Sequence, residues 1–192
     1  MNSDPLYTFL ARGLLAEEAL DRAGRKRSFA GTLLRDDAME KALSLSLLDD
    51  ELAARAGRMA LVYMAIATFE NSARDLVSSV LREGVGVDWW NQCVSEKIRK
   101  KVDGRRKEEA KYRWHSPRGG DPIEYTDFGD LGAVIEQNWP RFEPYMLSVP
   151  WVHNIFDTLE RSRNVIMHSG SLEDEDIGRI GIHIRDWVKQ VG

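Results

Sequence analysis

The chain carries a single cysteine, Cys93, among 192 residues. An internal disulfide is therefore excluded, and no Cys/His cluster has the spacing of a zinc site. No metal and no cofactor are expected, and a reducing, cytoplasmic setting fits this composition. No uninterrupted apolar run approaches the roughly 18 residues of a membrane span, so no membrane contact is expected. The first residues lack a basic start, an apolar block and a small-residue cleavage site, so no secretory leader is expected. Sustained apolar/polar alternation over several strands is missing, as are internal repeats and low-complexity tracts. A dominant charge of one sign is also missing: 27 basic residues face 31 acidic ones, for a net charge of −4. Such a chain has no global attraction to nucleic acid, and any binding must come from where the charges sit.

The residues that are present favour helix. Only 6 prolines interrupt a chain that is 43% hydrophobic and rich in Ala, Leu, Glu, Arg and Lys. Short helices are predicted over residues 5 to 23 and roughly 33 to 48. A long amphipathic helix is predicted from about residue 49 to 83, capped by Asp49 or Asp50 and ended by Gly84. VDWWNQCVSEKIRKKV reads as the next helix, opened by Asp88. The pattern degrades between Gly104 and Asp127, where SPRGGDP is turn-forming. TDFGDLGAVIEQNW resumes as a helix stopping at Pro140. SVPWVHNIFDTLERSRNVIMH is another, with Pro150 in its first turn and its end at Ser169 and Gly170. LEDEDIGRIGIHIRDWVKQV closes the series with an acidic first turn. The fold class is all-α, with an N-terminal helical extension over 1–50 and a helical domain over 51–192.

Two charges fall where apolar side chains are expected. On the helix near residues 150 to 168, Val152, Ile155, Phe156, Leu159 and Ile166 form one stripe, and Arg163 lies within it. On the long helix, Met59, Tyr63, Ile66, Ala73, Val77 and Val80 form the stripe. Glu70 sits in its middle, and Arg74 lies four residues on, at its edge. A lone buried charge is costly, whereas a paired one is tolerated. Glu70 is therefore expected to pair with Arg163 or Arg74 inside the bundle. The bland alternative is a solvated or snorkelling side chain at the stripe's edge. His168 diverges from Arg163 by roughly 140° around the helix, while Asn164 and His168 share a face.

RNVIMH, residues 163 to 168, matches an R-x4-H pattern. Upstream stand FENSARDL (69 to 76), DWWNQCV (88 to 94) and DFGDLGAVIEQNWPRF (127 to 142). Together these segments resemble the HEPN superfamily, in a branch that recurs in prokaryotic proteins and as an accessory domain of a eukaryotic RNA-surveillance endonuclease. The resemblance covers roughly residues 50 to 190. It implies an up-and-down four-helix core, usually dimerised so that two R-x4-H segments face a shared cleft. Many members are metal-independent endoribonucleases acting as toxins, antiphage-defence effectors or RNA-processing factors. Others are inactive and bind RNA, nucleotides or proteins. By the resemblance, Arg163 and His168 are the catalytic pair and Asn164 the intervening polar residue. Glu70 and Arg74, in E-x3-R spacing, are supporting residues. One subgroup is controlled through a tyrosine two positions after the histidine; here Ser169 and Gly170 follow, so that control is not expected.

These residue types suit RNA cleavage. RNA supplies its own 2′-OH nucleophile, histidine exchanges protons near neutrality, and arginine holds phosphate oxygens through paired hydrogen bonds. The expected partners are an RNA substrate, a second copy of the chain, and an inhibitory or regulatory protein. For substrate grip, residues 95 to 115 carry nine Lys or Arg against four acids. Lys97, Lys100, Lys101, Arg105 and Arg106 are the candidate RNA contacts, with Tyr112 and Trp114 as stacking surfaces. The competing reading is a solvated helix face with pairs such as Glu96 to Lys100.

Overall fold

The computed structural model describes residues 37–191. The helix expected over residues 5 to 23 lies outside them. The described residues are helical throughout, with turns and no strand. The chain divides into two units, residues 1–53 and 54–192. In the first, helix α1 (Asp37–Ala42) is followed by a 3-10 turn over Leu45–Leu47. There Asp49 accepts the Leu52 amide at 2.9 Å and caps the start of α2 (Asp50–Val85), as its short acidic side chain favours.

The remaining helices are α3 (Trp89–Cys93), α4 (Glu96–Glu109), α5 (Phe128–Gln137), α6 (Trp139–Phe142), α7 (Val149–Met167) and α8 (Asp174–Val191). A second 3-10 turn spans Pro122–Tyr125. Four boundaries differ from the sequence expectation. The helix expected to stop at Pro140 ends at Gln137, and Pro140 sits in the first turn of α6, where its missing amide is not needed. Helix α2 runs past Gly84, and Gly86, with φ +94°, ends it because its amide turns back to the Arg82 carbonyl. Gly84 instead makes room for a side chain. The Arg141 guanidinium lies against it and donates to its carbonyl at 3.3 Å, where a Cβ would intrude. The segment expected as one helix after Asp88 is two, because Val94 is extended and Ser95 starts a new N-terminus. Helix α4 then continues beyond Gly104 to Glu109.

By length and hydropathy alone α2 could cross a bilayer. One of its faces is instead buried in the protein interior: Met59, Val62, Ile66, Phe69, Ala73, Val77 and Leu81. Tyr63 and Val80, expected in that stripe, stand at its margin, with Tyr63 40% exposed. Helices α2, α5, α7 and α8 meet around an aromatic centre. Phe69 stands 6.1 Å from both Phe128 and Phe156 and 5.2 Å from Trp187, measured between ring centroids. Trp151 stacks flat on Trp187 at 5.6 Å. Tilted and edge-on rings of this kind place the positive edge of one against the negative face of another, adding to burial.

The end of α7 is held by two backbone bonds. The Gly170 amide returns to the Val165 carbonyl at 2.8 Å, and the Ser169 amide to the Ile166 carbonyl at 2.9 Å. They form a Schellman cap with His168 as its half-helical flanking residue. The left-handed position falls on Ser169 (φ +60°), and Gly170 lets the chain pass against Val165, where a Cβ would meet the carbonyl oxygen at 2.9 Å. Phe156→Ala, which empties the centre of the aromatic cluster, is expected to cost about 3–5 kcal/mol in chemical denaturation.

Candidate functional site

Glu70 is 6% exposed and faces α7 from the middle of α2. Arg163 Nη1 donates to both of its carboxylate oxygens, at 3.0 Å each. Arg74, one turn along α2, donates through Nη2 to Glu70 Oε1 at 2.5 Å and to the Thr126 carbonyl at 2.8 Å. Its other terminal nitrogen donates to Asn71 at 2.8 Å. The carboxylate thus holds both guanidiniums expected as alternatives. Arg163 also rests over the Phe128 ring, 5.6 Å from its centroid, and lies 3.7 Å from Glu160. Burial, and then the charge of Asp127, raise the Glu160 carboxyl above its ordinary range. Two cations thus share the buried Glu70, with the partly exposed Glu160 as a second, more distant anion for Arg163.

The cluster opens onto a cavity of about 680 Å³. Four arginines, Arg74, Arg105, Arg118 and Arg163, line it against three carboxylates, Glu70, Glu124 and Asp127. Asn71, Asn164, Tyr63 and Met167 supply amide, aromatic and thioether surface. His168 does not line this cavity. It is exposed at the α7 cap, and its imidazole has no hydrogen bond or ion pair among the described residues. Arg163, Asn164, Glu70 and Arg74 are therefore gathered at one site, and His168 stands outside it at the C-terminal cap of the same helix.

Beside the cavity lies an ionic network that sequence reasoning missed. Asp127 caps α5 by accepting the Asp130 amide at 2.8 Å. Its other oxygen accepts Arg105 at 2.5 Å and Lys101 at 3.0 Å. The buried Asp130 accepts the same two cations at 2.8 Å each, and Arg105 also donates to the Tyr125 carbonyl. Burial alone would raise the Asp127 carboxyl, but the Asp130 amide, Lys101 and Arg105 outweigh it and hold it well below the usual range. Burial likewise opposes charge on Lys101, and the hydrogen bonds to Asp130 and Asp127 prevail, raising its pKa. The available signal was Asp-x-x-Asp before an apolar run, the pattern of a helix-capping box.

The basic helix α4 is accordingly split in its roles. Lys101 and Arg105 point inward to the two aspartates, and Lys100 pairs with Glu96 at 2.7 Å, as the solvated-face reading anticipates. Lys97 is exposed, while Arg106 reaches the Gly120 carbonyl at 3.4 Å and the face of Tyr125. Among the described residues no group of three or more His, Cys, Asp or Glu could hold a metal ion.

Two outcomes are expected. Glu70→Ala strands two guanidiniums and destabilises the fold by about 3 kcal/mol, with the Glu70→Ala/Arg163→Met double variant recovering part of that loss in a thermodynamic cycle. Asp127→Asn keeps the cap but loses the charge, costing about 1–3 kcal/mol at pH 7. Because the folded-state pKa of Asp127 is depressed, this deficit is full above the ordinary carboxylate pKa. It shrinks as pH falls below about 4, which denaturation at pH 7, 5 and 3 would read out.

The family described as Swt1-like HEPN matches residues 64–192. No curated protein and no solved structure matches the chain. The matched span holds the Glu70–Arg74–Arg163 cluster, Asn164 and His168 as well as the greater part of the chain, which belongs to the Swt1-like HEPN family.

Proposed function

We propose that this protein is a metal-independent endoribonuclease that works as a homodimer, with the R-x4-H segments of two copies facing one cleft. The observation that carries the proposal is the setting of Arg163. Its guanidinium is fixed from behind by a buried carboxylate, beside a second arginine, on the wall of a cavity with more arginines than acids. Five residues on, an imidazole without a hydrogen-bond partner among the described residues stands at a hydrogen-bonded helix cap. The second copy is required by this reading: one chain's His168 lies outside the cavity that its own Arg163 lines. A composite cleft would join the two groups across the two subunits.

In the reaction, the 2′-OH oxygen attacks the adjacent phosphorus and gives up its proton to one imidazole. The P–O5′ bond breaks, and the leaving 5′ oxygen takes a proton from the other imidazole. Arg163 stabilises the charge that builds on the non-bridging oxygens. Asn164, on the same helix face as His168, contacts the backbone or orients the ring. The products are a 2′,3′-cyclic phosphate and a 5′-hydroxyl. A role as toxin or antiphage-defence effector, restrained by a partner protein, belongs to the same reading.

A second reading is a non-catalytic module that binds RNA, nucleotide or protein. It is favoured by the completeness of the Glu70 pairing, which leaves Arg163 already well satisfied in the single chain. One experiment separates the two: wild type and His168→Ala are incubated with a mixed RNA pool in EDTA. The nuclease reading expects cyclic-phosphate products from wild type and a rate lowered about 10²–10⁴-fold in the variant. Equal cleavage by both, or cleavage only after metal is added, would sink it. Binding without cleavage selects the second reading.

A further inference from the structure

We infer that the pocket between the C-terminal end of α4 and the loop after it is a second RNA site, which takes unpaired nucleotides of a single strand. The inference rests on RNA as the substrate class proposed above, and it extends the contact surface well beyond the scissile linkage.

The pocket has a volume of about 410 Å³, and its walls include Arg106, Glu109, Tyr112, Arg113, His115 and Tyr125. Its one carboxylate is already occupied. Glu109 accepts the Tyr125 hydroxyl at 2.5 Å and pairs with Arg118 at 3.5 Å. Arg113, by contrast, has no hydrogen bond or ion pair among the described residues, and Arg106 has a long bond to a carbonyl and the face of Tyr125 but no carboxylate among them. The pocket therefore presents uncompensated positive charge, although the chain as a whole is acidic. A polyanion would be drawn here by local charge alone.

Aromatic surface accompanies that charge. Trp114, between the pocket residues Arg113 and His115 in the chain, is 82% exposed and stands edge-to-face with His115, 5.5 Å away. Tyr112 is 53% exposed. Leaving so much indole in water forgoes a large burial gain, and nothing else in the described chain covers it. Exposed rings next to free guanidiniums match the requirements of splayed single-stranded bases, which stack on aromatic faces while cations follow the phosphates. A duplex keeps its bases stacked on each other and offers no face to Trp114.

The two sites are neighbours, linked by Arg118, which pairs with the pocket residue Glu109. Arg118 lines the cavity that holds Arg163, and its guanidinium lies 5.8 Å from the centroid of the Tyr125 ring, with Arg106 at 5.6 Å. Arg118 thus bridges the scissile cleft and the loop pocket and gives a strand a cationic path between them.

The test uses the full chain carrying His168→Ala, a labelled single-stranded RNA of about a dozen nucleotides, and a duplex of equal length, titrated at several salt concentrations. Trp114→Ala is expected to weaken single-strand binding about ten-fold, with duplex affinity unchanged and with Trp114→Phe retaining most of the affinity. Arg113→Gln is expected to lower the single-strand salt slope by about 0.7, the release of one counterion contact. Lys189→Gln, which removes the same charge from an exposed position outside the pocket, is expected to leave the slope unchanged. Parent-like binding by the Trp114 and Arg113 variants would overturn the inference, as would equal losses on duplex or no single-strand affinity in the parent chain. Cleavage is scored separately in the wild-type background. RNA that is held through Trp114 but never cut would sink the nuclease reading and leave the pocket standing.

Discussion

A carboxylate buried between two guanidiniums is the constraint around which this molecule is arranged. Glu70 is surrounded by the apolar face of α2, an environment in which an unpaired charge would be untenable. Its two partners arrive by different routes, Arg74 from the next turn of the same helix and Arg163 from α7, 93 residues away in the chain. The long-range bond sets the rotation and depth of α7 against α2. Thr126 adds a backbone carbonyl to Arg74 and ties in the segment that precedes α5. The polar cluster therefore fixes register among helices that apolar packing alone would leave free to slide.

The same cluster converts a structural necessity into a chemical opportunity. Glu70 faces two cations, and the cavity that the cluster meets is lined by four arginines against three carboxylates. Holding a guanidinium in place beforehand removes the cost of ordering it when a phosphate arrives. The Asp127–Asp130 network serves the neighbouring wall in a different manner. There two acids meet two cations, Lys101 and Arg105, and charge is balanced. This second network braces α4 against α5, and both clusters contribute residues to the cavity wall.

Membership in the Swt1-like HEPN family gives this geometry its context. Arg163 and His168 lie five residues apart at the end of α7 but in different surroundings: the first is sequestered and paired, the second is exposed on a cap formed with Ser169 and Gly170. A fixed backbone beneath a free imidazole suits a proton-transfer group whose partner comes from elsewhere.

The sequence by itself determined the all-helical class, the span of the long helix, the end of α7 and the suspicion attached to Glu70 and Arg163. All of these follow from local periodicity, from capping residues, or from the physical cost of a charge in an apolar stripe. It did not determine which arginine Glu70 holds, because that depends on two helices meeting, and the folded chain uses both. Nor did it distinguish Lys101 and Arg105, drawn inward by aspartates some 22 to 29 residues away, from Lys97 and Arg113, which have no ion pair among the described residues. A basic run reads the same along the chain whichever side faces inward. Only the tertiary structure decides which charges meet an opposite one and which remain for a ligand, because Coulomb attraction depends on distance in space and not along the sequence.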